Sequence, residues 1–243
     1  MNWAMASFGK VISDSLKKLV FREFTVSRVT HLSEHFERID FVCEALRGRP
    51  CSPGDKVQVD FDGGPRTYTP FAFDGAHGAL SVLVYLHGDG PSARWARNVS
   101  EGERAFAFGP RGSLALAAQS GPLTLFGDET SFGLARVLLE SRGAASGLSF
   151  VFEVTNENES KAVLEALKVP HFELVERRAE DAQLTDVEAR VRAVLAHDAT
   201  RRLVFTGKAQ SIQTLRNRLK AEPVAHGGQL VKAYWSPGKR GLD

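Results

Sequence analysis

The chain of 243 residues is predicted to fold as an antiparallel six-stranded β-barrel followed by a parallel-sheet α/β unit. Three observations carry that prediction. Short β-like runs, punctuated by Gly, Pro and Asp turns, crowd the segment up to about Pro110. Beyond it, strand-like and helix-like runs alternate, the pattern of a parallel sheet with crossover helices. Between them lies Ala117-Ala118-Gln119-Ser120-Gly121-Pro122, a small-residue stretch that marks the boundary. The expected division is an N-terminal helix over residues 1–20, a barrel over 21–118 and an α/β unit with a C-terminal tail over 119–243.

In the leading segment, Phe8, Val11, Ile12, Leu16, Leu19 and Val20 fall near helical spacing, while Lys10, Lys17 and Lys18 point elsewhere. A helix docked on the barrel accounts for this pattern. Three lysines make a thin case for a membrane-surface anchor. Barrel strands are expected at Phe24–His31, Phe36–Cys43, Lys56–Phe61, Thr67–Asp74, Leu80–His87 and Arg104–Phe108, with one helix at Pro91–Asn98. Turns such as Ser52-Pro53-Gly54-Asp55 and Asp62-Gly63-Gly64-Pro65 separate them. So many strands in so short a span suit a small antiparallel barrel. In the second half, strands at Leu123–Phe126, Leu148–Val154, Phe172–Val175 and Arg202–Thr206 alternate with helices at Glu129–Arg142, Ser160–Leu167, Asp186–His197 and Gln210–Lys220.

Composition excludes several classes. A hydrophobic content of 43% with 25% charged residues is that of an ordinary globular protein. A net charge of +2, without a clustered basic face, argues against nucleic-acid binding. No apolar run reaches the ~20 residues of a bilayer crossing. The start, Met1-Asn2-Trp3-Ala4-Met5, lacks the parts of a signal peptide, so a cytoplasmic address is expected. Cys43 and Cys51 are fewer than the four thiolates an iron–sulfur cluster takes, so electron transfer would rest on an organic cofactor. The seven histidines show no HExxH or HxH spacing.

Two segments concentrate the candidate chemistry. Arg66-Thr67-Tyr68-Thr69 puts a guanidinium, a ring and hydroxyls on one extended run, a set that can serve a flavin dinucleotide. Gly90-Pro91-Ser92-Ala93-Arg94-Trp95 then opens a helix, with Pro suited to its first turn and free N–H groups suited to a pyrophosphate. His87 precedes it, either as a flavin contact or as a loop residue. Gly127-Asp128-Glu129-Thr130 ends an apolar strand and opens a helix, where a parallel sheet places its ligand. The same acidic start also suits a helix dipole with no ligand at all.

The run Val84–Ala96 (VYLHGDGPSARWA), then Phe108–Ser113 (FGPRGS) and Phe126–Thr130 (FGDET), resembles the siderophore-interacting proteins, ferric-siderophore reductases of the ferredoxin–NADP reductase superfamily. The ending Lys232-Ala233-Tyr234-Trp235 is also similar to that family. The resemblance implies FAD as cofactor, NADH or NADPH as donor and a ferric siderophore as substrate. By resemblance Arg66, Thr67, Tyr68 and Thr69 match the first flavin motif, Leu86 and His87 the strand passing the ring, and Gly90, Ser92, Ala93 and Trp95 the phosphate segment. Gly127, Asp128, Glu129 and Thr130 match the loop that meets the nicotinamide nucleotide. Two places depart from the pattern. Ser131-Phe132-Gly133 replaces a small residue and a proline, and Gly207-Lys208 replaces a Gly-Glu pair.

Ferric siderophores commonly carry negative charge, so an electropositive rim is expected; Lys208, Lys239 and Arg240 are its candidates. Lys239-Arg240 reads equally as a basic tail. The second α/β strand ends Glu153-Val154-Thr155-Asn156-Glu157, and a carboxylate there, with no Arg before Lys161, points to NADH over NADPH. A diaphorase or flavodoxin-type reductase needs the same ring environment, and a non-catalytic siderophore carrier would retain the fold; both stay open on sequence.

Overall fold

The computed structural model describes residues 20–60, 64–143 and 147–239. The leading helix, apart from Val20, and Arg240 lie outside the described residues. Among the described residues, twelve strands form two sheets, one seven-stranded and antiparallel and one five-stranded and parallel.

The first sheet runs β1 (Arg22–Ser33), β2 (Phe36–Val42), β3 (Lys56–Asp60), β4 (Arg66–Tyr68), β5 (Pro70–Asp74), β6 (Ala79–Tyr85) and β7 (Arg104–Arg111). It has one strand more than expected, because the predicted run Thr67–Asp74 divides at Thr69. Arg66–Tyr68 pairs with β3, while Pro70–Asp74 pairs with β6 at the far edge of the same sheet. Proline lacks the N–H a continuous ladder would need, so Pro70 sits where the pairing changes sides. One short stretch of chain thereby joins both edges of the curled sheet. Inside it pack Phe24, Ile39, Phe41, Val57, Val82 and Ala107. Helix α1 (Pro91–Asn98) adds Ala93 and Ala96 to that core.

The second sheet runs β8 (Leu123–Gly127), β9 (Leu148–Val154), β10 (Phe172–Glu176), β11 (Arg202–Lys208) and β12 (Gln229–Trp235), linked by α2 (Phe132–Arg142), α3 (Glu157–Ala166), α4 (Leu184–His197) and α5 (Ala209–Ala221). β8 is buried along its whole length, as a strand covered on both faces must be. One face carries Leu125, Phe150, Phe152 and Val204 against Leu134, Leu138 and Val163; the other carries Phe126, Val151 and Phe205 against Leu195, Ile212 and Leu215. The sequence pattern does not predict β12. It is half-buried at the sheet edge, so no strong apolar alternation marks it.

The two halves share a core. Phe132 stacks on Phe36 of the barrel at 5.5 Å and 4°, and meets Phe152 edge-on at 4.9 Å. The departure Ser131-Phe132-Gly133 thus puts a large ring between the sheets. Glu159, in the first turn of α3, fastens the β1–β2 turn. It accepts from Ser33 Oγ (2.7 Å) and His35 N (2.8 Å) and meets His35 Nδ1 at 3.1 Å.

Candidate functional site

A cleft of about 430 Å³ opens where the barrel seam meets the end of β12. Ligand pockets commonly start near 300 Å³. The barrel wall carries Arg66, Thr67, Tyr68 and Thr69, with His87, Gly90 and Ser92 beside them. The motif lies on this wall because the strand break at Thr69 turns its residues toward the second sheet. Tyr68 joins the two predicted flavin segments: its hydroxyl hydrogen-bonds Ser92 in the first turn of α1. Burial of that hydroxyl pushes its pKa up to about 12. Arg66 Nη1 donates to the carbonyls of Gly64 and Pro65 at 3.1 and 3.0 Å, which steadies the guanidinium at the rim. Gly90 caps α1 with extended backbone and Pro91 follows at its start, so the helix opens onto the cleft with early N–H groups lacking helical acceptors.

The opposite wall comes from the α/β unit: Thr130, Gly133, Lys232, Tyr234, Trp235 and Lys239. The Tyr234 hydroxyl lies 3.4 Å from Thr69 Oγ1, and burial pushes its pKa up to about 12. Trp235 stacks across the cleft on His87, at 6.0 Å and 29°. Sequence reasoning misses Lys232 and the tyrosine–tryptophan pair as site residues, because β12 carries no strand signal to place them. Lys56, Leu83 and Tyr85 also line the cleft without having been expected there. With Arg66, Lys232 and Lys239, Lys56 makes the lining cationic.

Several expected site residues stand elsewhere. Leu86 and Ala93 are 2% and 3% exposed and belong to the barrel core. Trp95 stacks on Phe41 at 6.3 Å and 8°, packed on the same core. Gly127 is buried; a Cβ there would stand 2.5 Å from Ser131. Lys208 is 13% exposed and its Nζ holds both oxygens of Asp181, at 2.6 and 2.9 Å, so its charge is already matched. Glu153 is fully buried and accepts from Gln183 Nε2 at 2.9 Å, which removes it from any ribose. The sequence argument for NADH then rests on Glu157, exposed at the start of α3.

Asp128 and Glu129 turn inward as well. Glu129 Oε1 accepts from Thr155 N (2.6 Å) and Arg177 Nη1 (2.9 Å), and Oε2 pairs with Arg177 Nη2 at 2.8 Å. Asp128 Oδ1 accepts from both the N–H and the hydroxyl of Thr130, and Oδ2 accepts from Trp235 Nε1 at 2.7 Å. Burial and the neighbouring Glu129 raise the Asp128 pKa, while Arg177 and the hydrogen bonds from Thr130 and Trp235 oppose that rise. The capping box between Asp128 and Ser131 explains the sequence pattern without a ligand. Of that loop, Thr130 reaches the cleft.

Among the described residues no group of three or more His, Cys, Asp or Glu is placed to hold a metal, and no helix is long and apolar enough to cross a membrane.

A curled antiparallel sheet joined to a five-stranded parallel sheet is the ferredoxin-reductase-like fold. A ferredoxin NADP⁺ reductase from Neisseria gonorrhoeae, solved with bound FAD and NADP, shares this frame: TM-score 0.67 at 14% identity, over 88% of this chain and 99% of that one. Within that fold, the chain is similar to the siderophore-interacting proteins. Residues 55–114 match the family model of the siderophore-interacting FAD-binding domain. The siderophore-interacting protein SipS from Aeromonas hydrophila superposes with a TM-score of 0.73 at 19% identity, over 91% of this chain and 93% of that one. An NADPH-dependent ferric-chelate reductase of Escherichia coli (strain K12) is 25% identical, over 89% of this chain and 93% of that protein.

Proposed function

We propose that this protein is an FAD-dependent ferric-siderophore reductase, with the flavin in the cleft between the barrel seam and β12. One observation carries the reading: the Tyr68–Ser92 contact joins the Arg66–Thr69 strand to the open start of α1 in a single cleft. The donor set fits the cofactor. A guanidinium and helix N–H groups suit a pyrophosphate, while Tyr68, Thr69 and Tyr234 offer a ring face and hydroxyls for a polar heterocycle. Residues 21–118 would then be the FAD-binding unit and 119–243 the nucleotide-binding unit, in the cytoplasm.

Bound FAD supplies the change from a two-electron hydride to two single electrons. The balance is one NADPH and two Fe(III) giving NADP⁺, two Fe(II) and a proton. The chain's own part is to bind and align. Arg66 and the start of α1 hold phosphate; Thr130 and the backbone around it face the donor; Lys232 and Lys239, with Arg240, raise the local concentration of an anionic chelate. NADPH is the donor this reading favours. Arg177 and Arg178 follow β10 at the carboxyl edge of the sheet, and Arg178 is half-exposed, its guanidinium pairing with the exposed Asp186. A guanidinium there can accept a 2′-phosphate. Arg178→Ala should lower kcat/KM for NADPH and leave NADH nearly unchanged.

The test is anaerobic. Purified protein should carry or take up FAD and lose its visible absorbance on addition of NADPH. It should regain that absorbance when a ferric siderophore is added, with Fe(II) captured by a ferrous chelator. Failure to take up FAD would sink the reading. Flavin reduction without chelate reduction would favour a diaphorase, and bound chelate without flavin reduction a carrier.

A further inference from the structure

Resting on that reading of the cleft, we propose that Asp128 is a positioning residue. Through a single hydrogen bond it fixes the indole plane of Trp235, and so the wall of the cleft against which the ferric chelate is reduced.

The surroundings of the carboxylate are shaped for this contact. Asp128 is fully buried, yet its Oδ2 spans from the end of β8 to Trp235 on β12, 2.7 Å from the indole nitrogen. The strand between them, β11, makes room. Gly207 has φ +95°, and a Cβ there would lie 2.5 Å from Asp128 Oδ2 and 2.6 Å from its Cγ. Only glycine allows the carboxylate to pass. At the same point the β11–β12 register shifts, from Gly207 opposite Ala233 to Lys208 opposite Trp235. The irregularity brings both Tyr234 and Trp235 to the cleft lining, where a regular pleat would send neighbours to opposite faces.

The other carboxylate oxygen is taken up by Thr130, so the Asp128 side chain cannot rotate freely. On the cleft side, Trp235 faces the ring of His87 from the barrel. An indole held at its nitrogen can resist an arriving ligand; one held by packing alone would swing. Sequence places Asp128 in a motif expected to touch the donor nucleotide. The geometry points to a different use: the acid is held inside the fold and acts on the cleft through Trp235.

Three variants test this: Asp128→Ala, Asp128→Asn and Trp235→Phe, with the Ala/Phe double. The first readout needs no flavin. In FAD-free protein, the near-UV circular dichroism difference between wild type and Trp235→Phe isolates the band of the ordered indole. Asp128→Ala should lose that band, and Asp128→Asn, whose one amide oxygen cannot accept from both Thr130 and Trp235, should weaken it. In the FAD-loaded protein, Asp128→Ala and Trp235→Phe should each lower kcat/KM for a ferric chelate roughly tenfold, the scale of one hydrogen bond to a charged group. The double variant should be no worse than either single one. If Asp128→Ala does not fold, a weakened indole band in Asp128→Asn together with the loss of kcat/KM in Trp235→Phe supports the proposal in its place. An unchanged indole band in Asp128→Ala, unchanged kinetics in Trp235→Phe, or additive losses in the double would overturn the proposal. Failure of the wild type to take up FAD would instead overturn the reductase reading, and the indole band would still judge the hydrogen bond.

Discussion

On the barrel wall, Arg66, Thr67, Tyr68 and Thr69 face the cleft, whereas across from them Asp128 and Glu129, from an equally compact motif, turn into the protein. The difference follows from where each motif sits. Arg66–Tyr68 lies on a strand three residues long at the seam of the sheet, with one face left for a ligand. Gly127-Asp128-Glu129 leaves the centre of a parallel sheet, where neighbours on both sides compete for its side chains. A compact polar motif at a sheet edge is available to solutes; the same density of polar groups at a sheet centre is consumed by the fold.

Substitutions that exchange stability for binding sharpen that contrast. The largest effect is expected at Arg177, which pairs with Glu129 and lies 3.7 Å from Asp128. Arg177→Ala leaves two buried carboxylates unmatched and should destabilise the protein by about 3–5 kcal/mol, read from the urea midpoint. Arg66→Ala is the mirror case. It should leave the urea midpoint of FAD-free protein within about 0.5 kcal/mol while weakening FAD binding by about 1.5–3 kcal/mol, read by equilibrium dialysis. Equal stability losses at both sites would erase the distinction between the walls.

The join between the halves comes next. Burial raises the Glu159 pKa, but hydrogen bonds from Ser33, His35 N and the His35 ring outweigh it and hold the carboxyl below its usual range. A depressed carboxylate contributes stability that is present above its unfolded pKa, near 4.5, and fades as pH falls through the lower folded value. Glu159→Gln should therefore cost about 1 kcal/mol at neutral pH, after allowance for solvent screening. The gap in melting temperature from wild type should close in the acid range; a constant gap down to pH ~3, well below the ordinary carboxylate range, would detach Glu159 from the join. The smallest effect belongs to the tail. Replacing Lys239 and Arg240 with Ala should lower kcat/KM for an anionic chelate a few-fold at low salt and hardly at all beyond ~0.15 M, where the Debye length is about 8 Å. A neutral chelate should not notice the change.

The barrel and the alternating second half were legible because their periods, two against a strand–helix alternation, are written into side-chain polarity. The helix Pro91–Asn98 and the strand Leu148–Val154 fall where expected. What sequence could not show is where paired edges lie. The run from Thr67 to Asp74 has one strand pattern and two partners, and nothing local distinguishes them before Pro70 is placed. For the same reason the sequence does not place β12, so Lys232, Tyr234 and Trp235, marked there by resemblance, receive no position at the cleft. Lys208 illustrates the opposite error. Its position at a strand end suggested a free cation, but its partner, Asp181, lies 27 residues away in the chain and no spacing rule connects them.

The split strand has a thermodynamic consequence. Arg66 to Asp74 closes the barrel and also forms a wall of the cleft, so a solute bound there also braces the seam. Occupancy and folding are then linked by mass action: a ligand at about a hundred times its dissociation constant adds about 2.7 kcal/mol to the folded state. Melting temperature becomes a titration of the cleft, and candidate cofactors can be ranked by heating the protein with each of them.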